Sequence, residues 1–316
     1  MKAMGLLFPG QGAQVVGMGR DLAEGSAAAR QVFDAAERAT GVDIAALCFD
    51  GPLETLSRSD VAQPAILTVS IAALRALAEA AGAPLHPAAG GGLSLGEYSA
   101  LVAADAISFA DAVRLVLRRG RYMQEACDAR PGAMHSVIGL DDARVEQACA
   151  RAREETGAGV WPANYNSPGQ LVISGEEPAA EAAARACAAM GARRTIRLQV
   201  AGAFHTPMMQ PAADRLAADL DTVEIRSPRW PVVANVTARA VAGPDEIRDL
   251  LVRQVTSPVR WTACMHWLLE RGMRDFYEIG PGRVLQGLLK RTSTEAVCRT
   301  VNGLEDVRAC AQAAST

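Results

Sequence analysis

The chain has 316 residues, of which 50% are hydrophobic, and a formal net charge of −3 at pH 7. This apolar content is sufficient for a large packed core and excludes a disordered chain. The 32 basic and 35 acidic residues are interspersed, which disfavours a nucleic-acid-binding protein.

Cysteines and apolar segments indicate the compartment. The seven cysteines are scattered and lack Cys-x-x-Cys spacing, which favours reduced thiols over a disulfide framework or a metal site. The N-terminal apolar run is too short for a signal-peptide core, and no apolar stretch reaches the roughly 20 residues of a membrane span. We therefore expect a cytoplasmic protein that neither holds a metal nor enters a membrane.

The first third of the chain predicts alternating strands and helices. Met4 to Phe8 is a short apolar run ending at Pro9-Gly10, as expected for a buried strand that opens into a loop. Helical spacing of apolar residues follows over 22–40 and 63–81.

Residues 90–99 place Ser94 in a Gly-x-Ser-x-Gly pattern. Such a pattern suits a sharp turn from a strand into a helix, where glycines avoid a clash and the serine hydroxyl is exposed as a nucleophile. The five residues alone fit an ordinary glycine-rich turn equally well.

A helix capped by Ser108 is predicted to run through Met123 and to carry Arg119 on a mainly apolar face. Residues 133–200 then follow the order β-α-β-β-α-β, which is the ferredoxin-like unit. We predict an α/β protein in which residues 1–132 and 201–316 form an α/β-hydrolase-like large subdomain with a parallel sheet. Residues 133–200 form a small ferredoxin-like subdomain inserted into it.

A nucleophilic serine needs a base, and the chain offers four histidines. His205 is favoured because it lies in a loop after a predicted strand over 195–200, where a parallel sheet would expose its functional edge. His86, His135 and His266 are interpreted as surface or core side chains.

Seven segments, in order along the chain, match the motifs of one family. They are Phe8 to Gln14, Gly92 to Tyr98, Arg119 to Gln124, Asn166 to Gln170, Gly202 to His205, Gln254 with Pro258 to Trp261, and Glu278 to Gly282. Over nearly its whole length the chain resembles the malonyl-CoA:acyl carrier protein transacylases, the FabD-like acyltransferase family of fatty-acid and polyketide synthesis.

The resemblance implies a role for each matching position. Ser94 would be the acyl-accepting nucleophile and His205 its general base, oriented by a backbone or side-chain carbonyl of Gln254 in place of an aspartate. The backbone N–H groups of Gln11 and Leu95 would form the oxyanion hole.

Arg119 would bind the free carboxylate of a malonyl group through charge-assisted hydrogen bonds. On the residues alone, a surface arginine in the run of Arg118, Arg119 and Arg121 is an equal reading. The family motif selects Arg119, while Arg118 and Arg121 are candidates for contact with an acidic carrier protein at the cleft mouth.

The resemblance also suggests which residues line the substrate pocket. Phe204 would leave little room for a branched acyl group, and the further lining candidates are Met123, Gln63 and Asn166. Leu93 departs from the family pattern, which usually has histidine before the nucleophile. We expect altered packing there with retained activity.

The implied function is a two-step transfer of malonyl from malonyl-CoA to the phosphopantetheine thiol of an acyl carrier protein, without a metal or redox cofactor. Two alternatives remain at this stage. One is a hydrolase on the same scaffold that removes acyl groups from carrier proteins, and the other is a non-catalytic carrier-protein docking module. The sequence leaves the pathway open between fatty-acid and polyketide synthesis.

Overall fold

The computed structural model describes residues 4–200 and 202–314. The strands of this part are β1 Met4–Phe8, β2 Ala89–Gly92, β3 Ala133–Ile138, β4 Val160–Ser167, β5 Gln170–Gly175, β6 Arg194–Arg197, β7 Val232–Val233, β8 Asp275–Ile279 and β9 Val297–Val301. The helices are α1 Arg20–Gly25, α2 Ala27–Thr40, α3 Ile44–Asp50, α4 Leu53–Leu56, α5 Ser59–Ala81, α6 Gly96–Ala103, α7 Phe109–Ala129, α8 Asp142–Thr156, α9 Glu177–Ala189, α10 Gln210–Leu220, α11 Pro244–Thr256, α12 Trp261–Glu270, α13 Val284–Thr292 and α14 Leu304–Ala314. A short 3₁₀ helix spans Pro207–Met209.

The larger body is built on a parallel sheet with the strand order β7-β2-β1-β8-β9. β1 is almost wholly buried, as its continuous apolar run predicts. It pairs with β2 so that Phe8 lies opposite Gly92. The loops that follow the two strands, which hold Gln11 and Ser94, therefore emerge side by side at one edge of the sheet.

Helix α5 crosses the core of this body beside α2 and α7. Within the described residues it is the one helix long and apolar enough to span a membrane, which corrects the expectation that no stretch reaches that length. Most of it is buried, because it packs inside the protein on nearly all sides.

The second sheet is antiparallel, with the order β4-β5-β3-β6, and α8 and α9 pack against it. This is the predicted ferredoxin-like arrangement, whose strands come from residues 133–197. The subdomain boundaries themselves stay a prediction. β4 is tied to the larger body by two backbone hydrogen bonds with Val259, one from Val259 N–H to Ala163 O at 2.8 Å and one from Tyr165 N–H to Val259 O at 2.9 Å.

Several predicted elements differ in detail. The helix predicted over 22–40 is divided at Ser26, whose hydroxyl accepts from the N–H of Ala29 at 3.0 Å and so caps α2. The last strand of the second sheet ends at Arg197 rather than at residue 200. It belongs to the antiparallel sheet, so the argument that placed His205 at the edge of a parallel sheet was wrong.

The turn between β2 and α6 depends on two glycines. A Cβ on Gly92 would lie 1.9 Å from the carbonyl carbon of Gly96. A Cβ on Gly96 would lie 2.1 Å from the carbonyl oxygen of Phe8. These positions let α6 start directly against β1, which fixes where Ser94 points.

We expect Gly96→Ala to lower the free energy of unfolding by roughly 1–3 kcal/mol, because backbone must move to admit the methyl group. Urea unfolding measures the difference. Gly287→Ala in α13 is the control, since its added Cβ meets no atom within 4 Å, and helix propensity predicts a gain of up to about 1 kcal/mol there. Equal effects of the two variants would show that the contact with β1 is unimportant.

Candidate active site

Ser94 lies in the turn that joins β2 to α6, with a φ of 52°. This left-handed conformation is unusual for a residue other than glycine and is held from outside the turn. The backbone N–H of Ser94 donates to Asn235 Oδ1 at 2.6 Å, and Asn235 Nδ2 donates to the carbonyl oxygen of Gly92 at 2.7 Å. Asn235 thereby fixes both sides of the nucleophile turn.

His205 is brought to Ser94 from a loop 111 residues away, and it also has a positive φ, of 58°. Its Nε2 lies 2.9 Å from Ser94 Oγ, and its Nδ1 lies 2.8 Å from the backbone carbonyl oxygen of Gln254. Because a carbonyl oxygen only accepts, Nδ1 carries the proton and Nε2 is free to accept from the serine hydroxyl. The arrangement is that of a serine nucleophile and its general base.

The pKa of His205 is lowered to about 4, first by burial and then by the positive charge of Arg119, while backbone hydrogen bonds to Gln254 and Ser257 oppose the shift. The imidazole is therefore neutral at pH 7, the state that a general base needs.

Arg119 is 1% exposed and reaches the same point from α7. Its Nη2 donates to Ser94 Oγ at 3.1 Å and to Gln254 Oε1 at 3.0 Å, and its Nη1 donates to Gln63 Oε1 at 2.6 Å. Burial lowers its pKa from the usual arginine value, an effect that Tyr98 and Glu97 oppose. Arginine nevertheless stays protonated in proteins, so a positive charge adjoins the nucleophile.

The sequence analysis missed two residues of this site, Glu97 and Asn235. Glu97 is buried on α6, and its Oε2 accepts from the N–H of Asn235 at 3.0 Å and from Gln254 Nε2 at 2.7 Å. Burial raises its pKa to about 7, although these two hydrogen bonds and the charge of Arg119 act against the rise. The available signal was a carboxylate inside the largely apolar stretch Gly96–Ala103.

The two proposed oxyanion donors lie at the ends of neighbouring strands. Gln11 is in the loop after β1, and Leu95 is the residue that precedes α6. Within residues 4–200 and 202–314, neither backbone N–H donates a hydrogen bond to another protein group. Both donors are thus available to a substrate oxygen.

Two of the four pocket-lining candidates lie beside Arg119. Gln63 accepts a hydrogen bond from Arg119 Nη1, and its Nε2 lies 3.6 Å from Met123 Sδ. Phe204 is buried in the core directly before His205. Asn166 is on β4, and within the described residues its buried side-chain oxygen has no hydrogen-bond partner.

Two neighbours of the predicted site residues have other partners. Leu93 donates its N–H to the carbonyl oxygen of Phe8 at 3.0 Å and so holds the turn against β1 through its backbone. Arg118 forms a 2.8 Å ion pair with Asp219, which leaves it less available to a carrier protein.

The family model described as the acyl transferase domain matches residues 6–313. The chain belongs to this acyl transferase family. It is 46% identical over 291 residues to the malonyl CoA-acyl carrier protein transacylase of Escherichia coli K12, covering 92% of this chain and 93% of that one. The protein of the same name from Bacillus subtilis is 41% identical over 312 residues, covering 99% of this chain and 97% of that one.

A solved complex of a type II PKS acyl-carrier protein with its malonyl-transacylase, PlMCAT:AntF, has the same fold. The TM-score is 0.94 at 42% identity, with 99% of this chain and 100% of that chain covered. In the described part of this acyl transferase, no group of three or more histidine, cysteine, aspartate or glutamate side chains is arranged to hold a metal ion.

We expect the ring of His205 to stay neutral at pH 5.5, where an ordinary histidine with a pKa near 6.5 is mostly protonated. Protonation should occur only as the pH falls to about 4, and the base is lost below that value. NMR titration of the histidine Cε1–H signals, assigned with His205→Asn, measures this pKa. A midpoint near 6.5 would contradict the effect of burial beside Arg119.

Proposed function

We propose that this acyl transferase moves a malonyl group from malonyl-CoA to the phosphopantetheine thiol of an acyl carrier protein, through an ester on Ser94. The observation that carries the proposal is the buried guanidinium of Arg119 within 3.1 Å of the Ser94 oxygen. A serine and histidine alone fit many acyl transfers, whereas this charge selects an acyl group with a free carboxylate.

In the first step Ser94 Oγ attacks the thioester carbonyl carbon while His205 Nε2 takes the hydroxyl proton. The N–H groups of Gln11 and Leu95 stabilise the oxyanion, at typically about 3 kcal/mol for each donor. The C–S bond then breaks, and the CoA sulfur leaves with the proton from His205. In the second step the carrier-protein thiol attacks the carbonyl carbon of the Ser94 ester and gives its proton to His205. The ester C–O bond breaks, and Ser94 Oγ takes that proton back. The chemistry requires neither a metal nor a redox cofactor.

Arg119 can give up a hydrogen bond within the protein and form one with the substrate carboxylate instead. In the malonyl group one methylene separates the free carboxylate from the carbonyl that Ser94 attacks, so the carboxylate stays within reach of a guanidinium that touches Ser94. The hydrogen bond from Arg119 Nη2 to Ser94 Oγ is the contact open to replacement. A substrate carboxylate on this N–H group forms a charge-assisted hydrogen bond in its place.

The relatives support the substrate and the partner. The proteins from E. coli and B. subtilis are named malonyl CoA-acyl carrier protein transacylases, and the solved complex contains an acyl carrier protein. We infer a role in fatty-acid or polyketide synthesis and a cytoplasmic location, which suits seven cysteines that all carry free thiols.

We expect Ser94→Ala to abolish covalent labelling by malonyl-CoA, because the ester oxygen is removed. Intact-mass analysis after incubation with several acyl-CoAs, with and without carrier protein, measures the adducts. Malonyl adducts on the wild-type enzyme and on the carrier protein are the expected result. Free malonate without a carrier adduct would instead support the hydrolase that the sequence analysis left open.

We expect Arg119→Ala to lower the ratio of kcat/KM for malonyl-CoA to that for acetyl-CoA by roughly 100-fold, the effect of losing about 3 kcal/mol of charge-assisted hydrogen bonding. Arg118→Ala is the matched control, because it removes an exposed arginine from the same helix. An unchanged ratio in Arg119→Ala would show that Arg119 does not bind the substrate carboxylate.

A further inference from the structure

The side chain of Gln254 does not point at His205. Its backbone carbonyl holds the imidazole, whereas its carboxamide is turned toward Arg119 and α6. Oε1 accepts from Arg119 Nη2 at 3.0 Å, and Nε2 donates to Glu97 Oε2 at 2.7 Å and to the backbone oxygen of Ser94 at 3.0 Å. One residue thus contacts the base, the nucleophile turn and the arginine.

The carboxamide lies between a buried cation and a buried carboxyl group. Its oxygen faces the guanidinium of Arg119, and its nitrogen faces the carboxyl group of Glu97. Rotating the amide by half a turn would set its N–H groups against the cation and its oxygen against two acceptors, Glu97 and the Ser94 carbonyl. In a buried site such contacts are poorly screened, so one orientation is strongly preferred.

Glu97 is the group that enforces this orientation. The charge of Arg119 acts on Glu97, and Glu97 reaches Arg119 through the carboxamide of Gln254 and not by a direct hydrogen bond. The second anchor of Glu97 is the N–H of Asn235, the residue that also binds Ser94 N–H. Oε2 of Glu97 accepts hydrogen bonds from Asn235 and from Gln254. The nitrogen of the Gln254 carboxamide is therefore held toward Glu97, and its oxygen is held toward Arg119.

We propose that Glu97 is a positioning residue: through the carboxamide of Gln254 it holds the guanidinium of Arg119 in place for the acid group of the substrate, and so sets the preference for malonyl over acetyl. This inference rests on the proposed function. Glu97 is not a catalytic residue, because its hydrogen bonds go to Asn235 and Gln254 and not to the reacting atoms.

The test is a double-mutant cycle of Glu97→Gln and Gln254→Met, measured as kcat/KM for Ser94 acylation by malonyl-CoA and by acetyl-CoA. Gln254→Met keeps the backbone carbonyl that holds His205 and removes only the carboxamide. Each single variant is expected to lower the malonyl to acetyl ratio by about tenfold, the size of one hydrogen bond to a charged group. The double variant is expected to lose no more than Gln254→Met, since Glu97 acts through Gln254.

Glu278→Gln is the matched control. Glu278 is as deeply buried as Glu97, and its two carboxylate oxygens accept from the N–H groups of Leu285 and Gln286 at 2.9 and 2.8 Å, which fixes the start of α13. The variant is expected to lose stability while keeping the wild-type substrate ratio. A changed ratio in Glu278→Gln would show that the ratio responds to general destabilisation and would overturn the proposal.

Two further outcomes would overturn it. Equal losses with malonyl-CoA and acetyl-CoA in Glu97→Gln would mean that Glu97 only supports the Ser94 turn, and additive losses in the double variant would mean that it acts apart from Gln254.

A fluorophosphonate probe separates failure of this inference from failure of the proposed function. The probe labels an activated serine and carries no carboxylate. Wild-type protein that reacts with this probe but not with malonyl-CoA refutes the transferase function itself, and the substrate preference with it.

Discussion

The positive charge of Arg119 is the constraint on which the rest of the site depends. A guanidinium this deeply buried loses most of its hydration and has to be compensated by the protein. Within residues 4–200 and 202–314, no carboxylate forms an ion pair with it. Two carboxamide oxygens, from Gln63 and Gln254, accept from its N–H groups, and the carboxyl group of Glu97 lies one amide further away. The arginine is thus held in place without being neutralised.

The same charge contributes to the low basicity of His205. Burial first and the charge of Arg119 second lower the pKa of the imidazole to about 4, which disfavours an imidazolium at this position. In the proposed mechanism a substrate carboxylate on Arg119 would bring a compensating negative charge, and by the same electrostatic rule it would raise the basicity of His205. Binding of the malonyl group and activation of the serine would then be coupled through one arginine, an effect that an acetyl group lacks.

The residues of the proposed site were found because they match the ordered motifs of one family. Gly92 and Gly96 indicated the turn around Ser94, but on the residues alone Arg119 was equally a surface side chain, and the strand argument for His205 was wrong. The contributions of Glu97 and Asn235 were not predictable, because each depends on a partner more than a hundred residues distant. For Gln254 the sequence did not decide whether the backbone carbonyl or the side-chain carbonyl contacts His205. The structure assigns the backbone to His205 and the side chain to Arg119, a division that only tertiary placement decides.

His205 is supported by the backbone carbonyl of Gln254 at the point where a Ser-His-Asp triad has an aspartate. A carboxylate at the Gln254 carbonyl would stabilise the imidazolium better, as in a Ser-His-Asp triad. It would also add a second buried charge to a site that already holds the charge of Arg119, and its burial carries a desolvation cost of its own. A neutral backbone carbonyl fixes the tautomer of His205 without that cost. In this acyl transferase the support of the proposed base is therefore neutral, and the buried charge closest to Ser94 is that of Arg119.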